Sequence, residues 1–307
     1  MPLMPVIIPV FGREDVFDTV KFLRAQDYAS SLRFFVIDNG NVAELSVRLK
    51  MLADDGCEVI SFSENRGGSA AYIAGVKAAM ERLPNSPYIW LLDDDAKPEG
   101  RTLPALVEKM KLLSKDNRHV ASVGSTQLSL KNPRRIVECG TRYNLFLGHA
   151  FAQLAGQDIE SVGDKTLKID YAAACSLLIN AAAVRECGFW EDVFIHFDDI
   201  EWGLRVNDRG WANYATTASR VVHPEGGACK SGAWICYFDS RNQLWLASKY
   251  GRVYVVAALF KDFLKNIRDR LQGNAERIPC RKLAHADFKA GIRRNRNEVI
   301  AAVTGGR

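Results

Sequence analysis

Apolar positions in this chain follow two alternating rhythms. Short runs of Val, Ile, Leu and Phe at residues 4–10, 32–38, 58–62 and 88–93 predict buried strands. Between them, 13–26, 44–54 and 69–83 space their apolar residues as helix faces do, as in Val16, Phe17, Val20 and Leu23. Strand and helix in alternation predict an α/β fold, a mostly parallel twisted sheet flanked by helices. Ligands on such sheets collect where the strands end. Asp38, Asn65 and Asp93 each lie at or just after a strand end, so they should meet in one crevice. After residue 119 the pattern loosens: 120–125 and 175–180 predict strands, 131–143 reads as polar and turn-rich, and 144–170 shows no settled period. From Trp234 onward helices return, at 237–250, closed by Gly251, and at 253–272. In the latter, Val256, Leu259, Phe263, Ile267 and Leu271 share a stripe, with Lys261, Lys265, Arg268 and Asp269 away from it.

The fourth strand, Ile89-Trp90-Leu91-Leu92, runs straight into Asp93-Asp94-Asp95. A hard divalent ion with oxygen ligands, sharing its coordination with a substrate diphosphate, is the economical way to gather three carboxylates there. A solvated acidic turn capping the next helix would use the same residues. Asn65-Arg66-Gly67-Gly68 joins the third strand to a helix, and its glycines let backbone N–H groups approach an anion, as they would also serve a plain turn. It is neither GxGxxG nor GxxxxGK[ST], which argues against a dinucleotide-binding unit and a P-loop. A second acidic cluster, Asp198, Asp199 and Glu201, lies between Phe197 and Trp202. Helix-start carboxylates suit the macrodipole, and one partly desolvated by Phe197 and Trp202 can act as a general base. His223 ends a short strand before Glu225-Gly226-Gly227, where an imidazole is either structural or within reach of a strand-end metal.

With 48% hydrophobic and 25% charged residues, the 307-residue chain has the composition of a soluble globular protein with a large core. Its seven cysteines are odd in number and form no CxxC pair, which favours reduced core residues in a cytoplasmic protein over disulfides or a zinc site. No basic region precedes the first strand, so no signal peptide is expected, and the apolar run at 253–260 is too short to span a bilayer. Charge is uneven: residues 261–307 hold twelve Lys/Arg and five Asp/Glu, net +7, against a total of +5, leaving about −2 for the rest. A basic tail on a near-neutral body implies contact with an anionic surface, or simply a solvated basic helix. Nucleic acid is not expected, because no recognition module is visible and the aromatics do not interleave with the basic residues.

In order and spacing, Val6-Ile7-Ile8-Pro9-Val10-Phe11, Val36-Ile37-Asp38-Asn39, Asn65-Arg66-Gly67-Gly68, Asp93-Asp94-Asp95 and Gly188-Phe189 leading into the Asp199 cluster resemble the family 2 glycosyltransferases of the GT-A fold. The aspartate triplet and the segment from Phe194 to Arg205 are most similar to bacterial galactofuranosyltransferases. Rhamnosyltransferases of the family usually carry Asp-Gln-Asp-Ser at the triplet. The resemblance implies a glycosyltransferase domain at 1–230, with a nucleotide-sugar half at about 1–125 and an acceptor half at about 126–230, then a basic helical extension at 231–307. It implies that Asp93, Asp95 and His223 hold Mn²⁺ or Mg²⁺, and that Asp38 reads the uracil with Asn39 beside it. Pro9, Val10 and Phe11 would line the nucleotide pocket. Asn65, Gly67, Gly68, Asp94, Asp198 and Trp202 would complete the donor and acceptor contacts, Tyr237, Arg241 and Asn242 would lie near acceptor and diphosphate, and Asp199 would be the catalytic base. The expected reaction is metal-dependent inverting transfer, of galactofuranose from UDP-galactofuranose, onto a polyprenyl-diphosphate-linked glycan. Its expected setting is the cytoplasmic, anionic inner face of the plasma membrane, reached as a peripheral protein. A rhamnosyl- or hexopyranosyltransferase of the same fold is an alternative, as is a sugar-nucleotide-binding scaffold without turnover, although a scaffold needs no base.

Overall fold

The computed structural model describes residues 3–40, 42–115, 119–224 and 232–304. The first half alternates as the apolar rhythm predicts: β1 (Met4–Val10), α1 (Asp15–Arg24), β2 (Leu32–Asn39), α2 (Ala43–Asp54), β3 (Glu58–Phe62), α3 (Gly67–Arg82) and β4 (Tyr88–Leu92). β1 pairs in parallel with β2 and β4, and β2 with β3, so Val10, Asn39, Phe62 and Leu92 end their strands along one edge. The strands are apolar on both faces because both are covered. Val6, Ile8, Val36 and Trp90 pack with Val16, Val20 and Leu49 of α1 and α2 on one side. Ile7, Ile37, Ile89 and Leu91 pack with Ala71, Val76 and Ala79 of α3 on the other. The small residues of α3 let it lie close: a Cβ at Gly75 would sit 2.2 Å from Ile7 Cγ2.

The chain continues through β5 (Lys97–Pro98), α4 (Thr102–Ser114), β6 (Val120–Ser129), β7 (Ile136–Glu138), β8 (Thr141–Asn144), β9 (His149–Ala152), α5 (Ile159–Val162), β10 (Thr166–Ile169), β11 (Ser176–Asn180), α6 (Ala181–Cys187), α7 (Asp198–Asp208) and β12 (Ala212–His223). The main sheet runs β10-β12-β6-β11-β4-β1-β2-β3, with β5 beside β12 and β7 beside β6. β11 is antiparallel to both β4 and β6, whereas β6 and β12 are parallel. One continuous sheet therefore crosses both halves expected from the sequence. The turn-rich reading of 131–143 is corrected, since β7 and β8 lie there. β8 and β9 form a separate hairpin. The strand before His223 is also not short: β12 has 12 residues and brings His223 level with Ser129. Glu225, Gly226, Gly227 and Cys229 lie outside the described residues, and the other six cysteines are free.

The C-terminal part comprises α8 (Ile235–Tyr250), α9 (Arg252–Leu271), α10 (Arg277–Ala290) and α11 (Arg296–Thr304). α10 and α11 fold back on α8, burying Cys280, Ala284 and Val299 against Tyr237 and Phe238. Among the described residues no helix is long and apolar enough to cross a membrane.

Candidate active site

The edge where β4 ends gathers the acidic residues. Asp93 Oδ2 lies 3.4 Å and Asp95 Oδ1 3.1 Å from His223 Nε2, which arrives from the end of β12. One ligand atom from each of Asp93, Asp95 and His223 falls within 4.8 Å of the others. The second oxygen of each carboxylate is already fixed. Tyr72 of α3 donates to Asp93 Oδ1 at 2.5 Å, and Arg13 bridges Asp95 Oδ2 and Asp94 Oδ1. Each ligand carboxylate thus turns one oxygen toward His223 while a neighbour holds the other, the arrangement by which outer groups orient metal ligands. Asp95 Oδ1 is buried and has only the imidazole of His223 near it. Two carboxylates and an imidazole that turn one donor atom each toward a common point fit a hard divalent cation.

The charges here are strongly coupled. Burial disfavours the His223 imidazolium, yet its hydrogen bonds and charge contacts with Asp93 and Asp95 raise it to about 10. Burial works against the Asp95 carboxylate, but His223 and Arg13 hold it below the usual range. Burial pushes Asp94 up to about 7, Arg13 pulls it back, and the flanking aspartates add to the rise. A guanidinium fork shared by two carboxylates needs acceptor oxygens, so the ionised form is the one this pairing holds.

The side of the edge expected to receive the nucleotide lies at the ends of β1 and β2. Asp38 is buried and accepts from Ser46 Oγ at 2.5 Å. Asn39 clamps the turn before α3, donating to Gly67 O at 3.0 Å and accepting from Arg66 N at 2.9 Å. Asn65 Oδ1 accepts from Gly67 N at 2.8 Å. Pro9 and Val10 end β1, and Phe11 is exposed just beyond, its ring over Gly40. Gly68 has open space where a Cβ would be, as an approaching anion needs. Gly67 is glycine for another reason: φ is +85°, and a Cβ would lie 2.1 Å from Phe194 O.

That contact joins the edge to the second acidic cluster. Ser69 N donates to Phe194 O at 3.3 Å, and Phe194, His196 and Phe197 all have left-handed backbones, with φ of 72°, 61° and 70°. Left-handed non-glycine residues cost roughly 1–2 kcal/mol each and persist where their surroundings fix them. Here Asn242 Nδ2 donates to the carbonyls of Val193, Ile195 and His196 at 3.2, 2.8 and 2.9 Å. Arg241 donates to Val193 O at 3.1 Å, and Phe194 stacks on Phe238 at 4.8 Å. The held loop delivers Asp198 and Asp199 half-buried at the first turn of α7. Burial, then the charge of Asp198, pushes Asp199 up to about 8, against a hydrogen bond from Ile200 N. Burial likewise raises Asp198.

Two sequence expectations are corrected. Trp202 does not face Asp199's surroundings: it is 1% exposed, stacks on Trp190 at 4.6 Å and donates to Gly188 O, so α7 turns it into the core. Tyr237 is fully buried and donates to Asp287 of α10 at 2.9 Å, which makes it a pin between helices rather than a substrate contact. Arg241 and Asn242 support the loop from beneath. Sequence reasoning missed Arg13, Tyr72 and Glu138. Glu138 is raised by burial and interacts electrostatically with both His223 and Asp199, which places it between the two clusters.

A mainly parallel sheet that ends β4 in Asp93-Asp94-Asp95, with a second carboxylate pair at the start of α7, points to a glycosyltransferase of the GT-A fold. Residues 6–158, about half of the chain, match the family model described as glycosyl transferase family 2, and the chain belongs to that family. It is 23% identical over 244 residues to galactofuranosyltransferase GlfT2 of Mycolicibacterium smegmatis, a match over 74% of this chain and 37% of that protein. The chain thus spans little more than a third of that relative's length. Among solved structures, GalNAc-T7 with UDP, GalNAc and Mn²⁺ is similar with a TM-score of 0.59 at 14% identity, over 81% of this chain and 48% of that one. Staphylococcus aureus TarS 1-349 is similar with a TM-score of 0.55 at 12% identity, over 99% and 81%.

Proposed function

We propose that the protein transfers galactofuranose from UDP-galactofuranose, with inversion, to a hydroxyl of a polyprenyl-diphosphate-linked glycan at the inner face of the membrane. The observation that carries the reading is the convergence of one donor atom each from Asp93, Asp95 and His223, within 4.8 Å of one another at the end of β4. Asp93, Asp95 and His223 would hold Mn²⁺ or Mg²⁺, which when bound supplies positive charge to the departing diphosphate. GalNAc-T7, a neighbour in fold, was solved with UDP and Mn²⁺, which supports a manganese-bound uridine diphosphate as the occupant here. Asp38 and Asn39, with Pro9, Val10 and Phe11, would receive the nucleoside, and the open N-terminus of α3 at Gly68 would meet the phosphates. Asp199 accepts the proton of the acceptor hydroxyl as its oxygen attacks the anomeric carbon from the face opposite the leaving UDP. The anomeric C–O bond to UDP breaks, configuration inverts, and no enzyme-bound sugar forms. Asp94 keeps Arg13 in place, and Asp198 keeps Asp199 poised as a base by raising its proton affinity.

The donor assignment rests on the aspartate triplet, the segment from Phe194 to Arg205 and the GlfT2 relative. A panel of UDP- and dTDP-sugars with Mn²⁺, read by release of nucleoside diphosphate, tests it. The expected result is turnover with UDP-galactofuranose above dTDP-rhamnose and UDP-galactopyranose. Comparable rates with a pyranose donor would defeat the donor assignment, and no turnover with any donor would favour a sugar-nucleotide-binding scaffold.

A further inference from the structure

Helix α9 wears its apolar side outward. Val253, Val256, Phe260, Phe263, Ile267 and Leu271 are all exposed, from 42% for Ile267 to 83% for Leu271. Steps of three and four put them on one face. Arg252 and Arg270 border this face on one side, Lys261 and Arg268 on the other. The helix's two carboxylates point the opposite way. Asp262 and Asp269 are buried, paired with His285 and Arg281 of α10. These pairs, with Tyr254, Val255, Ala258 and Leu259 packed beside Leu244 and Ala247 of α8, hold α9 to the body, and a second apolar row is left facing outward with only cations at its borders.

The row does not stand alone. Lys261 Nζ donates to Gly148 O at the tip of the β8–β9 hairpin, where Phe146, Leu147 and Phe151 are exposed at 57%, 52% and 45%. The same hairpin carries Tyr143, which meets Phe197 edge-on, one residue before Asp198 and Asp199. The basic tail, by contrast, is largely engaged. Arg277 and Arg281 pair with Asp269, Arg294 with Asp287 and Arg293 with Glu191.

We infer that the outer face of α9, with the hairpin tip, is the surface by which this protein docks on an anionic bilayer. The apolar row enters the interface while the exposed Arg252, Arg268 and Arg270 meet lipid phosphates and Lys261 ties the hairpin tip to the helix. This rests on the proposed function only in taking the bilayer as the workplace. It adds the surface, and moves attachment from the basic tail to α9. Docking there sets the hairpin, and through Phe197 the base loop, close to the bilayer plane, where the hydroxyls of a lipid-linked acceptor would arrive. Charge complementarity selects lipid over a second copy of the chain, because two such faces brought together would oppose their cationic borders.

The test is co-sedimentation of the full chain with vesicles of phosphatidylcholine alone or mixed with phosphatidylglycerol, at low and high salt. The triple variant Phe260→Ser, Phe263→Ser and Ile267→Ser changes only exposed side chains, and its melting temperature checks the fold. Wild type should bind the anionic vesicles, less so at high salt. The triple variant should lose at least roughly 100-fold in partitioning, since three large apolar side chains no longer enter the interface. Replacing the exposed tail residues Lys282 and Lys289 by Ser should leave binding nearly intact. Equal binding of wild type and triple variant overturns the α9 assignment while leaving membrane attachment standing, as does loss of binding in the tail variant alone. No binding by wild type overturns both. Self-association of wild type that the triple variant abolishes, without vesicle binding, makes the face an interface between copies and overturns the inference.

Discussion

Replacing Asp199 by Asn keeps the side chain's shape and removes a charge that the fold holds at a cost. Burial and Asp198 push this carboxyl up to about 8, from an ordinary value near 3.8. The sign follows from linkage. A carboxyl whose folded pKa lies above its unfolded one costs stability once it ionises. Here the cost is absent below pH ~4, grows as the pH rises, and is complete above about 8. Fully realised, four units at about 1.4 kcal/mol each would be ~6 kcal/mol, but Asp198 shares the rise and the site is partly open to water, so about 1–2 kcal/mol is expected. At about 2.1 cal/mol/K per residue, 307 residues give near 0.6 kcal/mol per degree, so the melting temperature should rise by about 2–3 °C. Asp199→Asn should therefore melt higher than wild type at pH 8.5 and equal to it at pH 4. Its transfer rate should fall by at least ~10²-fold, and the alkaline-rising limb of kcat/KM should vanish. Scanning calorimetry at the two pH values and a pH–rate profile read both effects. An equal stability change at both pH values would refute the charge argument, and a surviving pH limb with rate intact would refute the role as base.

Removing metal should abolish transfer, with Mn²⁺ restoring it. Mn²⁺ should also raise the melting temperature of wild type but not of Asp95→Ala, and turnover in excess chelator would count against the ligand set. Gly67→Ala forces a Cβ to 2.1 Å from Phe194 O at a φ of +85°, and should cost about 2–4 kcal/mol in urea unfolding, with transfer reduced as the loop shifts. Asn242→Ala leaves the carbonyls of Ile195 and His196 without this donor and Val193 O with Arg241 alone. It should destabilise by about 2–4 kcal/mol and lower kcat more than KM for the donor, and an unchanged rate would mean the loop holds itself. Tyr72→Phe removes the hydroxyl that fixes Asp93 Oδ1, so Mn²⁺ affinity measured by calorimetry should fall by about 10-fold or more while the fold persists.

The nucleotide half was legible because strands covered on both faces read as unbroken apolar runs, and the sheet puts their polar ends together. Asp93, Asp95 and His223 could be named for the same reason, since Asp93 and Asp95 follow the end of β4 and His223 ends β12. What orients them could not: Arg13 and Tyr72 come from elements 82 and 21 positions away from their partners, and no local spacing announces them. The stretch 131–170 stayed obscure because its strands have three or four residues and β9 is exposed throughout, leaving no period to detect. α4 is not among the elements predicted above, although Leu103, Leu106, Val107 and Met110 have helical spacing. The loop before Asp198 uses Phe and His where glycine would signal a left-handed backbone, so its strain was invisible. Trp202 shows how periodicity misleads when direction is unknown. It lies one turn from Asp199 yet is buried against Trp190 and Gly188, contacts that come from outside α7 and that spacing along α7 does not reveal. α9 makes the same point in reverse. Its stripe was correctly spaced, but spacing does not say which side is inward. A clue lay in Asp262 and Asp269, seven apart and so on one face, with Arg281 and His285 four apart in the next helix: matched charges at helical spacing on consecutive helices indicate a packed pair, and the apolar row must then point away.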